Sequence, residues 1–360
     1  MRYISICLLL CLSKLLLAVV PSGYYSTLNM RQSAALKTEL HVIICQDTAG
    51  YLSYGAGAGR TWQGFYSTDR NLSTNAVIDM YSSTLRYFAT NYVALGYPSF
   101  GQDLHIEHSL PKSWWGSHEW AAYKDLHHLF PADGSMNLSK SNNPLGVVTG
   151  TATTNNGVSK VGPAVYGSYS GNVFEPADEY KGDFARSYFY VATAYENYRL
   201  YWDSPMMDKN TYPVFNSWAV ALLLQWHRQD PVSDKERTRT DAVYAIQGNR
   251  NPYIDLPQLV EYIWGNQVGQ YWNLTTQAVE VQQDDLKIVL SGNKDSFRVV
   301  GGDSAAISYT MFDASGKRVL QGVGATNMLI RLPKVRHGVY VFEVKAKDKI
   351  IKLKTEIIHD

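Results

Sequence analysis

Residues 103–115 decide the fold, and they read Asp103-Leu104-His105-Ile106-Glu107-His108-Ser109-Leu110-Pro111-Lys112-Ser113-Trp114-Trp115. Two later segments belong with this stretch: Asp125-Leu126-His127-His128-Leu129-Phe130-Pro131 and Asn137-Leu138-Ser139-Lys140-Ser141-Asn142-Asn143. Five of the nine histidines of the chain fall between residues 105 and 128. Histidines that serve only packing would be scattered, so this cluster indicates a functional site.

The pair Glu107-His108 is the first candidate for that site. Adjacent side chains of a strand point to opposite faces, so both can serve one site only if the strand ends or bends there. Pro111 makes such an ending plausible. We predict that residues 131–144 form a loop followed by a short helix, which carries Asn137 towards Glu107. Carboxylate and amide oxygens suit a hard cation such as Mg²⁺, and a neutral imidazole can take a proton from water near neutral pH.

Two alternatives remain open for the same histidines. His105 with His108, or the pair His127-His128, could bind zinc, which favours imidazole and thiolate ligands. The chain would then be a zinc-dependent hydrolase of peptides or small esters. The sequence has no His-Glu-x-x-His motif and no usable cysteine pair, which favours the oxygen-ligated site. A second alternative is that these histidines are hydrogen-bonded core residues without a chemical role.

The three segments together resemble the endonuclease I family. The ββα-metal (His-Me finger) core of that family is written Glu-His-x-x-Pro-x-Ser-Trp, then Asp-Leu-His-x-Leu-x-Pro, then Asn-x-x-Arg-Ser-Asn. The similarity continues, in order, through Gly23-Tyr24-Tyr25, Asp79-Met80-Tyr81-Ser82, Tyr180-Lys181-Gly182-Asp183-Phe184-Ala185-Arg186 and Gln247-Gly248-Asn249-Arg250-Asn251-Pro252. Each piece alone is weak, but the ordered combination is highly specific.

The resemblance implies a sequence-nonspecific nuclease that cleaves DNA, with RNA as a further substrate. It implies that His108 is the general base that activates water. It implies that Glu107 and Asn137 bind one Mg²⁺ ion, with Mn²⁺ or Ca²⁺ as alternatives, and that no small-molecule cofactor is used. We expect a monomer.

Further residues have supporting roles by the same resemblance. Asp125, with His127 or His128, would orient the groups that act directly. His128 stands where many relatives have Asn, which argues against a direct catalytic role for it.

Two departures from the family pattern concern the cation that steadies the leaving phosphate. Lys140 stands where the family motif has Arg. A guanidinium that can bind phosphate through two donors is thereby replaced by an ammonium group that acts as a point charge. No Arg lies between Glu107 and Asn137. We therefore predict that Arg186 supplies this cation, with Lys140 second. The alternative for Arg186 is a structural ion pair near the start of its own helix. The same departures motivate a third hypothesis, a surface or binding protein whose nuclease core has lost activity.

The ends of the chain indicate export. Arg2 precedes an apolar run from Tyr3 to Val20, which predicts a signal peptide over residues 1–22. We expect the nuclease-like domain over 23–274, a linker over 275–283 and a small antiparallel β-sandwich over 284–360. The last domain resembles the type A sorting domain of the type IX secretion system of Bacteroidetes, on Asp313-Ala314-Ser315-Gly316-Lys317 and His337-Gly338-Val339-Tyr340-Val341. A generic β-sandwich accessory module is the alternative. A secreted or cell-surface location follows either way.

Composition and charge narrow the function further. With 45% hydrophobic and 13% aromatic residues, the chain has material for a packed core, which excludes a disordered protein. The formal net charge of +1 divides into +2 for residues 1–22, −4 for residues 23–277 and +3 for residues 278–360. A globally basic nucleic-acid binder is thereby excluded. The nuclease-like domain should therefore bind substrate through few, focused contacts.

We predict an α+β fold, mainly helical around the ββα-metal core. One helix should follow Asp183 as its N-cap, with an apolar stripe of Phe184, Tyr188, Val191 and Tyr195. The pattern Ser233-x-x-Glu236 predicts a capping box at the start of another helix.

Overall fold

The chain divides in the computed structural model into two compact units, Met1–Leu274 and Thr275–Asp360. The structure describes residues 20–21, 23–45, 50–88, 104–273, 287–290, 296–300, 306–325, 328, 330–335, 337–346 and 349–357. The predicted signal peptide, except for residues 20–21, and the predicted linker lie outside the described residues. Within the described part, no helix is both long and apolar enough to span a bilayer.

The first unit is mainly helical. Its described residues form eight α-helices: α1 (Ser33–Ile44), α2 (Thr61–Thr68), α3 (Gly134–Lys140), α4 (Lys181–Ala194), α5 (Ser217–Gln229), α6 (Asp234–Gln247), α7 (Pro252–Asp255) and α8 (Leu259–Ile263). They also form two small antiparallel sheets from β1 (Leu104–His108), β2 (Leu129–Asp133), β3 (Thr154–Asn155), β4 (Lys160–Tyr166) and β5 (Tyr169–Glu175). Helices mixed with antiparallel sheets confirm the expected α+β fold.

Helix α4 runs through the core of the first unit, and all of its residues are buried. The predicted apolar stripe of Phe184, Tyr188, Val191 and Tyr195 belongs to one large aromatic core. The predicted N-cap at Asp183 is wrong, because the helix begins at Lys181 after Tyr180 and has no side-chain cap. The Asp183 carboxylate pairs instead with Lys235.

Helix α6 fixes the strand pair β1–β2 in place. Its predicted capping box is confirmed, since Ser233 and Glu236 exchange hydrogen bonds between side chain and backbone. From the middle of the helix, Arg239 donates to the Asp69 carboxylate at 2.8 Å and to the carbonyl oxygen of Leu129 at 2.6 Å. Leu129 is the first residue of β2, so this guanidinium ties the helix to the start of the strand.

Strand β2 pairs with β1 and is followed directly by α3. The two strands pair antiparallel, from Leu104 opposite Asp133 to His108 opposite Leu129. The loop predicted from Pro131 is wrong, because β2 continues to Asp133; both strands of a two-stranded sheet are edges, where proline is tolerated. The short helix that carries Asn137 is confirmed, and the Asp133 carboxylate caps it by accepting from the Met136 amide at 2.8 Å.

The second unit is all-β in its described residues. Its strands are β6 (Lys287–Leu290), β7 (Ser296–Val300), β8 (Ala306–Asp313), β9 (Arg318–Ala325), β10 (Ile330–Arg331), β11 (Gly338–Ala346) and β12 (Lys349–Ile357). They form two antiparallel sheets, in the orders β10-β7-β6 and β12-β11-β8-β9. The Phe297 ring of the first sheet lies 5.4 Å from the Tyr309 ring and 5.1 Å from the Phe342 ring of the second. The two sheets therefore share one apolar core.

Candidate active site

Glu107 and His108 are the last two residues of β1, and they contact different neighbours. The Glu107 carboxylate contacts Lys140 and Tyr81, whereas the His108 ring contacts Tyr123. The strand ends at His108, as expected. The acid and the imidazole therefore have different neighbours at the point where the strand ends.

His108 carries a proton on Nε2. This nitrogen lies 2.9 Å from the carbonyl oxygen of Tyr123. A carbonyl can only accept, so Nε2 must donate. The rings of Tyr54, Tyr123 and Trp115 surround the imidazole, with centroids 5.5, 5.0 and 5.9 Å away. The aromatic neighbours and the carbonyl together fix the orientation of the ring.

The environment of His108 keeps its ring neutral. Burial lowers the pKa of His108 well below its ordinary value, and the nearby His128 and Lys112 lower it further. A neutral imidazole that donates from Nε2 keeps a lone pair on Nδ1. The site therefore offers a base at Nδ1 at neutral pH.

Glu107 forms a buried ion pair with Lys140, the last residue of α3. The Lys140 ammonium nitrogen lies 2.6 Å from Oε1 of Glu107, and the two side chains are 0% and 8% exposed. The Tyr81 hydroxyl donates to the same oxygen at 3.2 Å. Lys140, the second sequence-based candidate for the phosphate-binding cation, therefore faces the proposed metal ligand and not the solvent.

Asn137 lies across the same interface between β1 and α3. Its side-chain nitrogen is 3.3 Å from Nδ1 of His105, which leaves the amide oxygen as its other polar group. His105 and Glu107 share one face of β1, and Asn137 and Lys140 are one turn apart on α3. The contacts His105–Asn137 and Glu107–Lys140 thus lie next to each other and join β1 to α3. They place the carboxylate and the amide of the predicted ligand pair in one interface.

Asp125 is fully buried and accepts hydrogen bonds from several parts of the chain. Its Oδ2 accepts from the hydroxyls of Tyr190 and Tyr195 at 2.7 and 2.5 Å, and its Oδ1 accepts from Gln247 and from the His127 amide, each at 2.9 Å. Burial raises the pKa of Asp125, but the nearby histidines and these hydrogen bonds outweigh it and leave the pKa below its ordinary value. The carboxylate therefore stays ionised and fixes the turn formed by residues 126–128.

His127 and His128 are held by backbone carbonyls. Nε2 of His127 lies 3.0 Å from the Asn249 oxygen, and Nε2 of His128 lies 2.6 Å from the Ala122 oxygen. Burial lowers the pKa of His127 to about 4 and also lowers that of His128. The His128 ring is 5.6 Å from the ring of His108. His128 thus packs beside the candidate base, whereas His127 is directed towards the loop after α6.

The zinc hypothesis finds no support in this arrangement. The ring nitrogens of His105, His108, His127 and His128 are directed at four different partners. Among the described residues, no group of three or more His, Cys, Asp or Glu side chains could hold a metal ion. A zinc centre built from the histidine cluster would require three or four converging ligands.

Arg186, the first sequence-based candidate for the phosphate-binding cation, is fully buried in α4. Its guanidinium donates twice to Glu236, with contacts of 2.5 and 2.9 Å, and once to the carbonyl oxygen of Asp230 at 2.7 Å. A bidentate pair of this kind is strong and geometrically specific. In this conformation Arg186 joins α4 to α6, which matches the structural alternative weighed for it.

Several groups that shape the site could not be, or were not, predicted from the sequence. The carbonyl oxygen of Tyr123 orients His108, and the rings of Tyr54 and Trp115 cover it. A backbone acceptor leaves no signature in the side-chain sequence, so Tyr123 could not have been found there. Tyr81 could have been predicted from the sequence, because it lies in one of the segments that carry the family resemblance.

Comparisons with known proteins cover most of the first unit. The family model described as Endonuclease I matches residues 32–258. An extracellular ribonuclease of Bacillus amyloliquefaciens is 35% identical over 248 residues, which cover 67% of this chain and 78% of that protein. An extracellular ribonuclease of Bacillus subtilis (strain 168) is 34% identical over 248 residues, which again cover 67% of this chain and 78% of that protein. An Endonuclease-1 of Buchnera aphidicola subsp. Baizongia pistaciae is 28% identical over 130 residues, 36% of this chain and 45% of that protein.

Proposed function

Because the chain belongs to the Endonuclease I family and is therefore a nuclease, we propose that it is a metal-dependent endonuclease that hydrolyses RNA and DNA without sequence specificity. The observation that carries the proposal is the hydrogen bond from Nε2 of His108 to the Tyr123 carbonyl, in a buried and aromatic environment. It supports a neutral base with a fixed orientation. RNA stands beside DNA as a substrate because two relatives are named extracellular ribonucleases.

We propose that β1, β2 and α3 form the ββα-metal core of this nuclease. His108 at the end of β1 would act as the general base and accept a proton at Nδ1 from the attacking water. The Tyr123 carbonyl would stabilise the imidazolium that results, since Nε2–H donates to it throughout. Asp125, His127 and His128 would keep this part of the chain in register around the base.

Glu107 and Asn137 would hold the metal ion. The donor set fits Mg²⁺, because this ion prefers a few protein oxygens and completes its shell with water and substrate phosphate. Mn²⁺ and Ca²⁺ also take oxygen ligands. When bound, the ion would neutralise charge on the phosphate and on the leaving oxygen. Lys140 already lies on the Glu107 carboxylate, so the ammonium group would have to share that carboxylate with the ion.

Cleavage assays test the metal and the substrate together. The mature chain is incubated with plasmid DNA, single-stranded DNA and RNA, with Mg²⁺, with EDTA, and with Mg²⁺ or Zn²⁺ restored after EDTA. The His108→Ala protein, purified in parallel, controls for contaminating nucleases. We expect cleavage that EDTA abolishes and Mg²⁺ restores. Digestion that persists in EDTA would contradict the metal dependence. Recovery with Zn²⁺ but not with Mg²⁺ would contradict the Mg²⁺ assignment in favour of zinc. If no substrate is cleaved under any condition, the inactive binding protein is supported.

We also propose that the chain is exported to the cell surface or the medium. The names of the two Bacillus relatives support secretion, and the apolar run after Arg2 supports a cleaved signal. The two-sheet second unit, with its Asp313–Lys317 turn, supports a sorting domain of the type IX system. Deleting residues 284–360 in a Bacteroidetes host should leave nuclease activity inside the cells. An unchanged distribution of activity would contradict this role.

A further inference from the structure

The candidate phosphate-binding cations differ in whether a carboxylate already neutralises them. Lys140 is buried against Glu107, and Arg186 is buried against Glu236. Lys112, by contrast, is exposed, and no acidic partner is found for it among the residues that the structure describes. An exposed and unpaired ammonium can bind a phosphate oxygen without first breaking an ion pair.

Lys112 is held beside the candidate base by rigid neighbours. It begins a short 3-10 helix, Lys112–Trp115, whose residues Trp114 and Trp115 are 2% and 0% exposed. The Lys112 ammonium nitrogen lies 5.3 Å from the centre of the Tyr123 ring. The same Tyr123 holds Nε2 of His108 through its carbonyl and packs its ring 5.0 Å from the imidazole. The ammonium group of Lys112 and the imidazole of His108 therefore both contact Tyr123.

The backbone around Lys112 also supports a defined position. The Lys112 carbonyl oxygen accepts from the Ser117 amide at 2.9 Å and from the amide of Gly116, which closes the turn with a φ of 77°. Residues other than glycine rarely adopt such a φ. Buried tryptophans and a closed turn thus anchor the stem of the lysine, while its charged end stays in water.

We propose that Lys112 binds a backbone phosphate of the nucleic acid beside His108. The inference rests on the proposed nuclease function and names the cation that Lys140 and Arg186 do not provide in their ion pairs. An ammonium group binds a phosphate oxygen as a point charge with three donors. In a domain of net charge −4, such a contact is focused and not part of a broad cationic face.

Binding measurements in an inactive background test the contact. The mature His108→Ala chain is titrated with a fluorescent single-stranded oligonucleotide at several salt concentrations, alone and combined with Lys112→Gln, Lys112→Arg or Lys209→Gln. Lys209 is an exposed lysine before α5, and its substitution changes the net charge equally. Lys112→Gln should weaken binding about tenfold, as expected for one lost hydrogen bond between charged groups. It should also reduce the slope of log K against log salt by about 0.7.

The matched variants decide the outcome. Lys112→Arg should keep the affinity and the slope, and Lys209→Gln should behave as the parent protein. Equal effects of Lys112→Gln and Lys209→Gln would overturn the assignment, and so would a slope that Lys112→Gln leaves unchanged. In the otherwise wild-type chain, Lys112→Gln should lower kcat/KM at an unchanged melting temperature. If the wild-type chain cleaves RNA or DNA but Lys112→Gln cleaves equally well, only this inference fails; if the wild-type chain cleaves neither, the proposed function itself fails.

Discussion

The ammonium nitrogen of Lys140 lies 2.6 Å from Oε1 of Glu107, and this ion pair joins the end of α3 to the end of β1. Both groups are removed from water, which is costly unless the two charges remain together. The same carboxylate is the proposed metal ligand. Glu107 therefore contributes to the stability of the first unit and, in the proposed mechanism, would also bind the ion.

Removing one member of this pair should destabilise the first unit. Lys140→Met or Glu107→Gln should each lower the free energy of unfolding by about 3–5 kcal/mol, because one buried charge is left unpaired. The double variant should lose less than the two single losses combined. Chemical denaturation followed by fluorescence measures this cycle. Arg228→Met, which breaks a pair whose side chains are 43% and 23% exposed, is the control and should cost less than about 1 kcal/mol. Strictly additive losses in the cycle would contradict the coupling.

Lys140 should also weaken metal binding. Its positive charge lies on the carboxylate that an ion would use, and like charges repel at this distance. Calorimetric titration with Mn²⁺ should give an affinity for Lys140→Met that is roughly five- to tenfold higher than for the wild type, an effect of about 1 kcal/mol. Glu107→Gln should bind the ion more weakly than the wild type. Weaker binding by Lys140→Met would show that the ammonium group positions the carboxylate and does not compete with the ion.

Arg186 should act on stability and not on the chemical step. Its guanidinium is engaged by Glu236 and by the Asp230 carbonyl, so Arg186→Met should destabilise the first unit by about 3–5 kcal/mol. Glu236→Gln should have an effect of the same sign and similar size. Well below the melting temperature, both variants should retain kcat/KM within about twofold, a change smaller than 0.5 kcal/mol. A large loss of kcat/KM in Arg186→Met that Glu236→Gln does not share would restore the sequence-based catalytic prediction.

Buried histidines should make the first unit sensitive to acid. Burial lowers the pKa of His127 and of His227 to about 4, from 6.5 for an unperturbed histidine. Between these values the unfolded chain binds protons that the folded chain does not, so the free energy of unfolding falls as the pH falls from 6.5 towards 4. Burial raises the pKa of Asp183 to about 7. This one group therefore has the opposite effect, because its contribution to the free energy of unfolding increases as the pH falls.

Melting temperatures across this pH range provide the measurement. The melting temperature of the mature chain should fall progressively below pH 6.5, and His227→Asn should flatten the fall relative to its own value at pH 7.5. A melting temperature that is constant down to pH 4.5 would contradict the burial of neutral histidines.

Local patterns predicted the elements that depend on neighbouring residues. The capping box at Ser233 and the short helix that carries Asn137 both follow from residues three or four positions apart, and both are present. The apolar stripe from Phe184 to Tyr195 was visible for the same reason.

Partners that are distant in the chain could not be predicted in this way. Lys140 and Glu107 are 33 residues apart, and Arg186 and Glu236 are 50 apart. The pairing of each buried cation is decided by tertiary packing. The sequence could therefore suggest which cations were available, but not which of them a carboxylate already neutralised.

The nuclease rate of His108→Ala tests the role of the base most directly. The variant, the wild type and the exposed-histidine control His118→Ala are compared on RNA and DNA with saturating Mg²⁺, and their folding is checked by melting temperature. We predict that His108→Ala loses roughly 10²–10⁴-fold in rate, the usual contribution of a general base, while it still binds oligonucleotide and His118→Ala stays active. Cleavage by His108→Ala at the wild-type rate would contradict the proposed mechanism.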